Sequence, residues 1–154
     1  MIGAPRPSGR AQSAALVVLR VCAGTIMFFF GLEKLSWLLD ATPLATQLAS
    51  WLLDAPPPSR WYLERIIPGA PVFARVIPVG AMAGGLALAC GFWTRIAAAL
   101  SLVIVVSLQF GAGAMFRYAY LSDASGLPLV GALLALIIGG ETRRRGKPGP
   151  ALRP

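Results

Sequence analysis

Five polar side chains in an otherwise apolar chain have the types to do chemistry: Glu33, Lys34, Arg75, Gln109 and Arg117. Glu33 and Lys34 end the first apolar stretch, Arg75 starts the second, Gln109 lies within the third and Arg117 closes it. Charge near membrane depth is costly unless paired, which makes such residues candidates for a site by default. Neighbours on a helix point about 100° apart, so Glu33 and Lys34 do not face each other and each wants another partner. Glu33 with Arg75 or Arg117 is the expected pairing. With Trp37 and Tyr118 as walls, the group would line a polar pocket at the outer end of a helix bundle, suited to a quinone head or a small anion. The alternative is that the pairs only fix helix register and close that end.

Absences narrow the chemistry. The chain has no histidine, so it cannot hold a haem through imidazole, build a histidine-based metal site or run a histidine general base. Cys22 and Cys90 are not a CxxC pair. They differ in expected depth by around 10 Å, too much for a disulfide, and read as buried small apolar residues. No Gly-rich phosphate loop, nucleophile elbow or carboxylate cluster is present. Catalytic residues are therefore not identified, no metal site is expected, and no cofactor is evident beyond a quinone.

Four long apolar stretches must position the polar group. The clearest runs from Ile96 to Phe116, uncharged between Arg95 and Arg117 and long enough to cross a hydrocarbon core of about 30 Å. Val76 to Thr94 is another. The first stretch, Ala14 to Leu39, carries Arg20 near one end and Glu33 with Lys34 near the other, where long side chains can snorkel toward water. The last, Ser125 to Gly140, ends at Glu141 and the Arg143-Arg144-Arg145 run. The fold class is thus an all-α integral membrane protein, a bundle of four transmembrane helices. Spans fall at about 14–39, 74–94, 96–116 and 122–140 within a membrane domain of residues 13–142, flanked by tails 1–12 and 143–154.

Composition agrees: 56% hydrophobic, 13% charged and a mean hydropathy of +0.70 depart from soluble averages of about 25% charged. The net charge of +8 does not point to nucleic acid, because of where it sits. With the N-terminus inside, Arg6, Arg10, Arg20, Arg95, Arg143, Arg144, Arg145, Lys147 and Arg153 face the cytoplasm against Glu141 alone. Outside, Lys34, Arg60, Arg65, Arg75 and Arg117 are matched by Glu33, Asp40, Asp54, Glu64 and Asp123. The excess lies inside, so both termini are placed in the cytoplasm.

Helices in lipid gain little from apolar contact with each other and associate through close backbone approach at small residues. Gly80, Gly84, Ala87 and Gly91 share a stripe on the second span, Gly131, Ala135 and Gly139 one on the fourth, and Gly24 and Gly31 lie two turns apart on the first. In the outer loop, residues 40–73, Thr42 can cap a helix with Pro43 at its first position and Leu44, Leu48, Trp51 and Leu52 on one face. Ser59 can start a second after Pro56-Pro57-Pro58, ending at Pro68-Gly69. Both would lie on the outer interface or cover the bundle mouth.

The segment Gly31-Leu32-Glu33-Lys34-Leu35 and the later Gly84-Gly85-Leu86-Ala87-Leu88-Ala89-Cys90-Gly91-Phe92-Trp93-Thr94-Arg95 resemble the DoxX family of small four-span bacterial membrane proteins, over about Leu16 to Gly139. Members commonly have a histidine where this chain has Phe30 and an acidic residue near Ala81. The resemblance implies an inner-membrane location and a part in oxidoreductase systems. Relatives include the membrane subunit of a thiosulfate:quinone oxidoreductase and a member that assembles with a superoxide dismutase and a sulfurtransferase. The expected function is a membrane subunit that anchors or assists a quinone-linked oxidoreductase, not catalytic alone. Its partners are the lipid bilayer, an oxidoreductase subunit or further copies of itself, and not nucleic acid. The alternative is a small transporter working as an oligomer, with Glu33 as its essential carboxylate.

Overall fold

The computed structural model describes residues 9–121, 123 and 126–139. The tail up to residue 8 and the C-terminal segment with Glu141 and the arginine run lie outside the described residues. Those described form six α-helices: α1 (Gly9–Glu33), α2 (Thr42–Asp54), α3 (Pro57–Ile66), α4 (Ala70–Cys90), α5 (Thr94–Gly111) and α6 (Leu127–Gly139). Short 3-10 turns at Leu35–Leu38, Ile67–Gly69, Ala114–Phe116 and Tyr118–Leu121 join them, and no strand occurs among the described residues.

Capping sets the helix limits. Helix α4 stops at Cys90 because Gly91 turns left-handed at φ +75°, and the Gly91 and Phe92 N–H groups then donate to the Leu88 and Ala87 carbonyls at 3.1 and 2.9 Å. Apolarity continues to Trp93, but the helix does not. Likewise α5 ends at Gly111, short of Phe116, where Gly113 reverses the chain at φ +62°. Helix α2 begins as expected in position but not in cap: Asp40 Oδ1 accepts the Thr42 N–H at 2.9 Å. Helix α3 starts at Pro57, two residues before Ser59, because proline at a first turn forfeits only an N–H that has no helical partner.

Three helical segments are long and apolar enough to cross a membrane: Ser13–Glu33, the nearly continuous Pro57–Cys90 and Thr94–Gly111. Val17, Val21, Phe29, Val79, Leu100 and Val103 stand exposed along them. Such a surface is untenable in water and normal in lipid. The chain is a multi-pass integral membrane protein. Helix α6 is also apolar, but its 13 described residues span only about 20 Å.

Helices α1, α4, α5 and α6 pack around one core in which Met27, Ala81, Leu88, Ala98, Leu133 and Leu136 are fully buried. The most extensive contact is α1 on α4. A Cβ on Gly24 would stand 2.7 Å from the Gly85 carbonyl oxygen, and one on Gly85 would stand 2.6 Å from that of Gly24. Gly31 meets Met82 and the Pro78 carbonyl at 2.7–2.8 Å. Gly85 thus joins the α1 seam, while Gly80 and Gly84 face α5, meeting Ile104 at 3.1 Å and Ser101 Oγ at 2.7 Å. Gly139 lies against Leu16. Gly131 differs: nothing lies within 4 Å of its Cβ position, so it seals no seam among the described residues.

Candidate functional site

A second apolar cluster forms where α2 and α3 fold over one end of α4 and α5. Trp37, Leu44, Leu48, Leu63, Ala70 and Ala74 are buried in it. The roof is pinned by Ser59, a wholly buried side chain of α3 whose hydroxyl donates to the Phe110 carbonyl of α5 at 2.7 Å. Gly111 lets this contact form, since Leu63, Tyr62 and Trp51 all come within 3.3–3.8 Å of its Cβ position. Tyr62 meets the Phe110 ring edge-on at 5.4 Å.

Beneath the roof a groove of about 590 Å³ runs between α4 and α5. That volume lies within the usual range for small-molecule sites, about 300–1,000 Å³. Its floor is made by small residues, Gly80, Ala83, Gly84 and Ala87 on α4 and Ala97 on α5, with Phe73, Leu100 and Ile104 as walls. It extends from Trp51 and Tyr62 under the roof to Phe92 and Trp93 in the α4–α5 turn. At 1.5 Å per residue along α5 this is roughly 27 Å, close to the thickness of a hydrocarbon core. The lining is almost wholly apolar, and its two side-chain hydroxyls, Tyr62 and Ser107, lie toward the roof. Such a channel suits a long apolar tail with a weakly polar head.

The polar residues singled out from the sequence lie outside this lining. Glu33, Arg75 and Arg117 are exposed, and Gln109 is half-buried. Lys34 Nζ stands 4.7 Å from the Phe30 ring centroid and 5.0 Å from that of Trp37, so aromatic faces take the place of a carboxylate beside it. Trp37 is buried in the roof cluster and Tyr118 is 88% exposed; neither borders the groove. Cys22 and Cys90 are free, as expected, but exposed on the lipid-facing surface rather than buried. Sequence reasoning missed Ser59, Ser107 and the α4 floor as site residues. The visible signal was Gly80, Ala83, Gly84 and Ala87 recurring on one face of a helix whose facing partner offered Leu100 and Ile104.

The family model that matches this chain is DoxX, over residues 15–114. The chain belongs to the DoxX family. No curated protein and no solved structure matches it. The matched region runs from α1 through α5 and contains the whole groove and its roof. Phe30, where the DoxX resemblance suggests a histidine, and Ala81, at or next to where it suggests an acidic group, are apolar in this member. Phe30 is half-buried beneath the Lys34 ammonium, and Ala81 is fully buried against the core.

Proposed function

We propose that this DoxX member is a four-span subunit of a bacterial inner membrane, both termini cytoplasmic, that assists a quinone-linked oxidoreductase. In this reading the quinone's prenyl tail lies in the α4–α5 groove and its ring sits under the α2–α3 roof. The observation that carries the proposal is the groove itself, an apolar channel of about 590 Å³ as long as the bilayer core is thick. The Tyr62 and Ser107 hydroxyls at the roof end are the donors a quinone carbonyl would need. Lacking histidine and with its two cysteines separated, the chain offers few ligands for a redox metal, so electrons would come from a partner subunit. Glu33, Lys34, Arg75 and Arg117, at the roofed end, would border the face that such a partner meets.

The test is purification in mild detergent from quinone-containing membranes, followed by solvent extraction and identification of co-purifying proteins. The proposal expects quinone in stoichiometric amount and an oxidoreductase subunit. Absence of both contradicts it. Substrate flux in liposomes containing this protein alone, abolished by Glu33→Gln, would favour a transporter instead.

A further inference from the structure

Arg20 is a half-buried cation on α1 whose needs the described residues do not meet. Its Nε–H is buried without an acceptor, and no ion pair is formed with it among the described residues. The guanidinium lies on Gly91, where a Cβ would stand 2.6 Å from both Cζ and Nη1. Glycine at φ +75° is therefore required there twice, for the turn and for the space.

Capping the α4 C-terminus does not account for this arginine. The Ala87 and Leu88 carbonyls are already taken by the Phe92 and Gly91 N–H groups, and the Arg20 Nε–H finds no acceptor in the adjoining helix end. Its depth makes an unmatched cation costly. Arg20 and Glu33 are thirteen residues apart on one helix, about 20 Å, against a hydrocarbon core of about 30 Å. A charge at the edge of that slab needs a counter-charge.

The adjoining turn marks the level of the lipid headgroups. Phe92 and Trp93 stack at 5.4 Å with their planes 7° apart, and both are exposed. Trp93 holds φ +47°, a left-handed conformation costing an L-residue about 1–2 kcal/mol. That conformation keeps the indole at a depth where tryptophan favours the membrane interface. Arg95 adds a second cation in the first turn of α5. All five described carboxylates, Glu33, Asp40, Asp54, Glu64 and Asp123, lie toward the opposite end.

We infer that Arg20, seated on Gly91 beside the α4–α5 turn, binds the phosphate of an anionic glycerophospholipid in the leaflet that meets that turn. The lipid phosphodiester accepts from the guanidinium in the bidentate manner arginine favours, and the acyl chains stay in the bilayer. This site is separate from the groove proposed for quinone and does not depend on it.

The test uses the full chain in nanodiscs of phosphatidylcholine with a minor fraction of phosphatidylglycerol, the lipids retained on release being counted by native mass spectrometry. The wild type is expected to retain phosphatidylglycerol about fivefold above its share, the effect of one arginine near a membrane surface. Arg20→Gln should abolish the enrichment, Arg20→Lys keep part of it, and Arg65→Gln, at the other end, leave it unchanged. No enrichment by the wild type overturns the inference without any variant needing to fold. So does equal retention by Arg20→Gln, equal loss in Arg65→Gln, or displacement of the lipid by millimolar inorganic phosphate, which would make the ligand a free anion.

Discussion

The Ser59 hydroxyl and the Phe110 carbonyl are 51 residues apart in sequence and 2.7 Å apart in space. Phe110 sits in the last turn of α5, where carbonyls lose their helical donors, and Ser59 supplies one from the roof. The Gly113 N–H, at 3.1 Å, supplies the other. Ser59→Ala should therefore cost about 1 kcal/mol, since one donor remains and the carbonyl is not orphaned. Thermal unfolding in detergent measures the loss. Hydrogen exchange should rise in α3 with little change in α1.

The α1–α4 seam is far less tolerant. A Cβ at position 24 would meet backbone atoms of Gly85 and Ala89 at 2.7 and 2.8 Å, and backbone cannot rotate aside as a side chain can. Gly24→Ala should destabilise by about 1–3 kcal/mol through forced separation of the helices. Gly131→Ala, which meets open space, should be neutral or slightly stabilising. Equal melting temperatures for the two variants would refute the seam.

Asp40 gives the roof an acid limit. Hydrogen bonds from the Thr42 side chain and backbone hold its carboxyl below the usual carboxylate range. The folded value is thus lower than the unfolded one. The stabilisation is complete above the unfolded value, near pH 4, and is lost as pH falls through the folded value. Amide exchange in the first turn of α2 should accelerate only in that acid window. Asp40→Asn keeps a cap acceptor and should remove the pH dependence. A wild-type acceleration that begins near pH 6 would assign it to another group.

Much of the fold was legible because lipid imposes crude demands. Long apolar stretches, with charge only near their ends, located α1, α4 and α5. Helix ends were harder, because Phe92-Trp93 and Ala112–Phe116 are apolar yet turn on left-handed glycines, and hydropathy does not register φ. Gly80, Gly84 and Gly85 look alike in sequence, but Gly85 closes a seam while Gly80 and Gly84 floor a groove. The difference lies in what each faces: Gly85 meets the backbone of Gly24 and Phe28 on α1, whereas Gly80 and Gly84 meet the side chains of Ile104 and Ser101 on α5. The polar residues were easy to single out and Lys34 illustrates why their partners were not: its neighbours are the rings of Phe30 and Trp37, which pattern reading assigns to packing.

Filling the groove without touching the core separates its role from that of the polar group. Ala83 is exposed and borders the groove, so Ala83→Trp should occupy it at little cost to folding. The most direct measurement is photolabelling of the membrane-embedded protein with an azido-quinone carrying a prenyl tail, followed by peptide mapping. Labels on α4 and α5 at Phe73, Leu100 or Ile104, competed by unlabelled quinone and lost in Ala83→Trp, are the predicted result. Labelling around Glu33 and Arg117 that Ala83→Trp leaves intact, or none that competes, would contradict the account.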